Sequence, residues 1–129
     1  MIVIDSSVII KCFFYEQGSE EAKKLVRQEH LCAPDLLLYE FTNYLGRQKD
    51  LSLKNKQELL DIFYGFKIEF FILPEKGFKR VIELCTEYNI TSYDASFIAL
   101  AEVLKTQVVT ADKKLINTIG KSCNIMKSL

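Results

Sequence analysis

The sequence predicts an α/β protein, with a parallel sheet of about five short strands and helices on both faces. Three observations carry that expectation. Short apolar or β-branched runs alternate along the whole chain with longer stretches of helical periodicity, as parallel strands joined by crossover helices require. Nearly half of the 129 residues are apolar (49%), including nine Phe and six Tyr, enough to fill a buried core. Only five Gly and two Pro occur, too few for a turn-rich sandwich or barrel.

Residues 1–4 form an apolar run broken by Asp5, which suits a buried strand that ends at a carboxylate. Ser6 and Ser7 then offer caps for a helix carrying Val8, Ile9, Ile10, Phe13 and Phe14. Gly18-Ser19-Glu20-Glu21 reads as a second helix start, with acids in the first turn and Ala22, Leu25 and Val26 as the apolar stripe. Leu31-Cys32-Ala33 is the next strand, stopped by Pro34. From residue 35 to about 48 a helix follows, with Leu36, Leu37, Leu38, Phe41, Tyr44 and Leu45 spread around most of it. That breadth predicts cover by a second surface, such as another subunit, in addition to the core. Residues 53–66 form an amphipathic helix, and 68–73 a strand ended by Pro74. Phe78, Val81, Ile82, Leu84 and Cys85 mark the next helix, and an Ala-rich one spans 93–104. A β-branched strand at 107–110, a helix at 112–119 and a last strand at 124–126 complete the series. No linker, repeat or low-complexity tract interrupts it, so residues 1–129 are expected to form a single domain.

Lys plus Arg and Asp plus Glu both total 17, so the chain has no global field to attract nucleic acid. Contact with nucleic acid then has to come from a local basic patch or a bound cation. The four Cys (12, 32, 85 and 123) make no C-x-x-C pair and there is one His, His30, which argues against zinc and for free thiols in a reducing compartment. No charged segment precedes an apolar one at the start, and no apolar run approaches the ~20 residues of a membrane span. A soluble, cytoplasmic protein without membrane association is expected.

In open parallel sheets, ligands bind outside the carboxyl ends of the strands. Asp5 lies just past the first strand, and Asp112 just past the 107–110 strand. Asp94 lies in the first turn of its helix, after Ser92. Glu40 is about one turn or more inside its helix, with Asn43 and Tyr44 on the same side at i+3 and i+4. Singly, Asp5 and Asp112 read equally well as helix caps, and Asp94 as a charge favoured by the helix dipole. Glu40 resists that reading, because Leu36, Leu37, Phe41 and Tyr44 predict a covered helix. A covered carboxylate must find a partner or lose its charge. If all four acids converge, their repulsion demands a counter-charge. Mg2+, hard and oxygen-seeking, is the natural candidate, and hydrolysis of a phosphodiester is the reaction it suits. An aspartyl phosphatase would need a second acid where Ser7 stands, and a phospho-receiver a further acidic pair near the first phosphorylatable strand end; both fit poorly.

Four blocks carry a resemblance: I-V-I-D-S-S-V-I-I-K-C-F-F, A-P-D-L-L-L-Y-E-F-T-N-Y-L, T-S-Y-D-A-S-F-I-A-L-A-E and V-V-T-A-D-K-K-L. In order and spacing they resemble the signature blocks of PIN-domain nucleases. More narrowly, they look like the VapC-type toxins of bacterial and archaeal toxin–antitoxin pairs. The resemblance runs from residue 2 to about 115. It implies a five-stranded parallel α/β/α sandwich and a Mg2+-dependent endoribonuclease, with Mn2+ as a possible substitute. It also implies a homodimer neutralised by a separate antitoxin whose C-terminal segment crosses the active-site groove. By the same resemblance Asp5, Glu40, Asp94 and Asp112 are the acidic metal-binding positions, with Asp5 and Asp94 the most direct ligands. Ser7 and Thr110 fall on the small hydroxyl positions, and Asn43 on a polar position beside the second acid. Two readings keep the fold and change the role: a PIN nuclease of RNA maturation without an antitoxin, and a catalytically inactive protein-binding module. Lys113 and Lys114 are the candidate RNA contacts at the mouth of the site. Arg47, Lys49, Lys54 and Lys56 read as solvated surface, and His30 as a loop or helix-end residue. The aromatic residues at 63, 64, 66, 70 and 71 are expected mostly in the core, with one or two left for a dimer contact.

Overall fold

The apolar runs become the strands of one parallel sheet in the computed structural model, which describes residues 1–129. The strands are β1 (Ile2–Ile4), β2 (Leu31–Pro34), β3 (Glu69–Phe71), β4 (Val108–Thr110) and β5 (Met126–Ser128). Their spatial order is β3-β2-β1-β4-β5, with Val3 opposite both Cys32 and Val108. Val3, Ile4, Leu31, Cys32, Val108 and Val109 are all buried, as strands covered on both faces must be. The two edge strands carry exposed Glu69 and Lys127, which discourages pairing with a foreign strand.

Seven helices connect them: α1 (Ser6–Phe13), α2 (Ser19–Gln28), α3 (Leu36–Gly46), α4 (Leu53–Gly65), α5 (Glu75–Tyr88), α6 (Ser92–Leu104) and α7 (Lys113–Ile119). The first four lead outward from β1 to β2 to β3, and α5 with α6 returns the chain to the other side of β1. The winding direction therefore reverses between β1 and β4. Right-handed crossovers then place α1–α4 on one face and α5–α7 on the other. The contacts agree: α1 packs on α2 and α3, α3 on α4, and α5 on α6. Helix α6 lies across β1, β2 and β4, and Ala95 through Ala101 are all buried. Its alanines let it sit close to the sheet, and a helix apolar all round belongs in the interior. Asn89, in the left-handed conformation at φ 54, ends α5 and turns the chain back into α6.

One aromatic cluster locks α1, α3 and α4 together. The Phe41 and Phe63 rings stack with centroids 4.6 Å apart, and Phe13 meets Phe41 at 5.0 Å and Phe66 at 5.5 Å. Phe70 also faces Phe63, so the 63–71 aromatics are largely consumed by this cluster, with Tyr64 the exposed exception. All four cysteines are free. Burial pushes the Cys12 and Cys32 thiols up to about 11, which keeps them protonated and unreactive.

Three expectations need correction. The last strand is Met126–Ser128 rather than 124–126, because Met126 N–H closes a turn onto the Cys123 carbonyl and pairing starts only there. The third strand shrinks to Glu69–Phe71, with Ile68 and Leu73 buried outside the ladder. Helix α3 stops at Gly46, and its fully buried stripe is the narrow series Leu37, Phe41, Leu45. Leu36, Leu38 and Tyr44 are half-buried, and Tyr39 is 72% exposed.

Candidate active site

The reversal of winding between β1 and β4 opens a crevice at their carboxyl ends, where open α/β sheets bind ligands. Asp5 leaves β1 in extended conformation and caps α1, its Oδ1 accepting the Ser7 N–H at 3.1 Å. The Ser7 hydroxyl donates to the same oxygen and the Thr110 hydroxyl to Oδ2. Thr110 is the last residue of β4 and fully buried. Each hydroxyl has one proton and directs it at Asp5, so its lone pairs are left to accept. Ser7 Oγ accepts the Ala111 N–H at 2.8 Å, and Thr110 Oγ1 accepts the Asp112 N–H at 3.1 Å. Asp112 in turn caps α7, accepting the Leu115 N–H at 3.1 Å. One continuous network thus ties the ends of β1 and β4.

Two further acids arrive from the helical layers. Asp94 sits in the first turn of α6, where Thr91 caps the helix by accepting the Asp94 N–H at 3.1 Å. Glu40 sits in the second turn of α3, and its Oε1 is buried with no hydrogen-bond partner.

The electrostatics join these four positions. Burial pushes Asp5 from 3.8 up to about 6, against the hydrogen bonds of Ser7 and Thr110, and the charge of Asp94 adds to the rise. Burial first, then the charges of Asp5 and Asp94, lift Glu40 from 4.5 to about 7; only the Ser6 hydroxyl favours its ionised form. Asp94 is also raised, by burial first and then by Asp112, with Thr91 opposing. Six ion pairs form in the molecule, and none includes any of these acids. Four carboxylates from four separate elements repel one another, and no cation answers them.

The PIN domain family model matches residues 2–121. This chain belongs to the PIN domain family. It is 32% identical to the ribonuclease VapC9 of Mycobacterium tuberculosis, over 97% of this chain and 96% of that protein. It is 29% identical to the ribonuclease VapC3 of Pyrobaculum aerophilum, over 88% of this chain and 91% of that one. A solved toxin-antitoxin complex from Klebsiella pneumoniae superposes with a TM-score of 0.75, covering 98% of this chain and 96% of that one. Identity there is 12%, so that likeness is one of fold. The five-stranded parallel sandwich that the sequence blocks implied is the PIN fold observed.

The residues present in this PIN domain fit a hard divalent cation. A buried carboxylate oxygen without a partner, Glu40 Oε1, is costly unless a ligand or water completes it. No three His, Cys, Asp or Glu side chains converge tightly enough to make a full coordination shell. The acids are electrostatically coupled, and as placed here at most two of them stand close enough to share an ion directly, so water would have to fill the other positions. On Asp5 both Oδ1 lone pairs are taken by the Ser7 N–H and hydroxyl, and Oδ2 keeps about one beyond its bond from Thr110.

Of the supporting residues, Ser7 and Thr110 lie in the network, whereas Asn43 does not. Its side chain is exposed, and Oδ1 accepts from Arg47 Nε at 3.3 Å. Lys113 and Lys114 are exposed in the first turn of α7, beside Asp112. His30 is exposed before β2, 3.3 Å from Glu69. Sequence reading missed Ser6, Thr91 and the Ala111 N–H. The Thr91-x-x-Asp94 spacing is a helix-start signal that points to Thr91; no local pattern reveals the other two.

Proposed function

We propose that this PIN domain is a Mg2+-dependent endoribonuclease, able to use Mn2+, and the toxin of a toxin–antitoxin pair. The observation that carries the reading is the convergence of Asp5, Glu40 and Asp94, each raised first by burial and then by a neighbouring carboxylate, together with the unpartnered Glu40 Oε1. The similarity to proteins named as VapC ribonucleases and to a toxin–antitoxin complex supports it.

Asp5 and Asp94 serve as the direct ligands, with Glu40 and Asp112 completing the anionic wall. Ser7 and Thr110 fix the Asp5 carboxylate, and Asp112 is held by the start of α7. When bound, the ion supplies Lewis acidity toward the scissile phosphate and the attacking water. The water oxygen bonds to phosphorus, a P–O ester bond breaks, and a proton from the water ends on the departing oxygen.

Two surfaces suit the proposed partners. Tyr39, Ile72, Phe78, Ile82 and Tyr93 are each more than half exposed and border a groove of about 470 Å³. Such a contiguous apolar patch is where a two-fold dimer forms. It replaces the 63–71 aromatics as the motive for dimerisation, and keeps α3 through Tyr39. A second groove, of about 370 Å³, runs between α1, α2 and α4 and is lined by Phe13, Val26, Leu59, Ile62 and Phe66. An antitoxin segment lies there, with an Arg or Lys entering the acid cluster in place of the ion.

Incubating the purified chain with RNA in Mg2+, in Mn2+ and in excess chelator tests the catalytic reading. Cleavage with either metal and none under chelation is expected. Cleavage that survives chelation, or no cleavage of any RNA with either metal, overturns it. Light scattering tests the dimer, for which roughly twice the monomer mass is expected.

A further inference from the structure

We propose that a cleft beside the acid cluster, between Lys11 and Lys113, seats the RNA phosphate next to the one being cleaved. This assignment rests on the nuclease reading and adds to it the place where the neutral chain meets an anionic strand. The cleft has a volume of about 260 Å³ and is lined by Lys11, Gln17, Gly18, Glu21, Ala111 and Lys113 among others. It adjoins the acids, since Ala111 in its lining donates its N–H to Ser7 Oγ, which is bonded to Asp5. Asp112 stands between Ala111 and Lys113 in the chain.

Lys11 is positioned rather than free. It follows Ser7 by four residues on α1, so the two share a face about one turn apart, about 6 Å along the axis. That step is comparable to the spacing of successive phosphates on a strand. A phosphate at the acids thus leaves its neighbour over Lys11. The Lys11 side chain is only 19% exposed, with Nζ held 2.6 Å from the Gln17 carbonyl and 3.2 Å from Glu16 Oε1. Gly18, at φ 92, has no Cβ, and one placed there would press on Lys11 Cδ at 3.3 Å. The loop is shaped to let the lysine lie along it. Glu16 is about half exposed, so its pairing with Lys11 is weak and a phosphate can replace it. Lys113 is exposed on the opposite wall. Two ammonium groups flanking one cleft act as point charges on a phosphate and read no base sequence.

The test compares the wild type with a Lys11→Ala/Lys113→Ala double variant, on a fluorescein-labelled single-stranded RNA of random sequence in Mg2+. KM is expected to rise tenfold or more, with kcat within about threefold, because phosphate positioning is uniform binding. In an Asp5→Asn background, where the strand stays intact, affinity should depend less steeply on salt. Two lost contacts reduce the slope of log affinity against log salt by about 1.4. The Lys11→Arg/Lys113→Arg variant should restore KM, and Lys49→Ala should change neither quantity. An unchanged KM and salt slope, in a background where the wild type cleaves, removes the cleft assignment and leaves the nuclease reading standing. So does a loss of melting temperature and kcat together that arginine fails to rescue. A wild type that cleaves no RNA in Mg2+ or Mn2+ removes both readings at once.

Discussion

Helix α6 carries a charged cluster at each end, and the two are built on opposite terms. Near its C-terminus Glu102 accepts two bonds from Arg80, at 2.9 and 3.2 Å, and Arg80 also donates to Glu83 at 2.9 Å. The two glutamates hold the guanidinium still more firmly protonated, and both carboxylates find their cation within the fold. Near its N-terminus Asp94 joins Asp5, Glu40 and Asp112, where every resolved shift is upward and none of the six ion pairs includes an acid of the cluster. The first cluster clamps α5 to α6. The second carries a repulsion that the proposed cation would relieve. Carboxylates that hold a fold together find their partner within the fold; those that serve chemistry leave the place open.

The largest expected contrast comes from removing one charge at each end. Asp5→Asn should lower Mg2+-dependent RNA cleavage by at least about 100-fold, since the ion's charge stabilisation is worth several kcal/mol. The fold should survive, because Asn caps α1 as well as Asp does. Glu102→Gln should leave cleavage unchanged. Steady-state rates of both variants, with melting curves alongside, make the comparison.

Acidity gives the next effect. Asp5 and Glu40 hold their protons up to about 6 and about 7 in the folded chain, against 3.8 and 4.5 ordinarily. Between those values the folded chain binds more protons than the unfolded one, so metal-free stability falls as pH rises from about 4 to about 7. The loss is on the order of 3 kcal/mol for buried Asp5, and less for partly exposed Glu40. Denaturant unfolding in chelator across this range measures it. Saturating Mg2+ should flatten the profile, whereas Glu102→Gln should leave it in place.

Thr110→Val keeps the shape of β4 and removes the hydroxyl that donates to Asp5 and accepts the Asp112 N–H. A loss of 10- to 100-fold in apparent Mg2+ affinity is expected, of the order seen when an outer partner of a metal ligand is deleted. The Mg2+ dependence of the cleavage rate reports it. The smallest effect belongs to the paired cluster around Arg80. Arg80→Met should cost no more than about 1 kcal/mol, because the pair is about one-third exposed and screened. Its cleavage rate should equal that of the wild type.

The two ends of α6 also differ in how far sequence alone reveals them. Asp5 and Asp112 stand out because an apolar strand, a carboxylate and a helix start follow one another at both places. Glu40 stands out because its helix carries too many apolar neighbours for a free charge, and the unpartnered Oε1 agrees. The link from Ser7 through the Asp5 carboxylate to Thr110 joins residues 103 apart in the chain, and only the parallel placement of β4 against β1 creates it. Asn43 shows the limit of helical spacing. Three residues after Glu40 is near its face, yet the remaining offset is enough to turn the side chain to solvent and Arg47. The last strand is hard to place because Met126-Lys127-Ser128 buries a single side chain, leaving no alternation to read. Likewise the Arg80 clamp depends on the α5–α6 reversal at Asn89, which no periodicity announces.

The central claim is that the four carboxylates form one divalent-cation site, and calorimetric unfolding at neutral pH tests it without recourse to activity. Wild type and Asp5→Asn are each melted in chelator and in Mg2+. The account predicts that Asp5→Asn equals or exceeds the wild type in chelator, since one member of a repelling set is gone. It predicts that Mg2+ stabilises the wild type, by about 2.7 kcal/mol at a hundredfold excess over Kd, and the variant far less. Equal stabilisation of both proteins by Mg2+, or none of either, would contradict the claim.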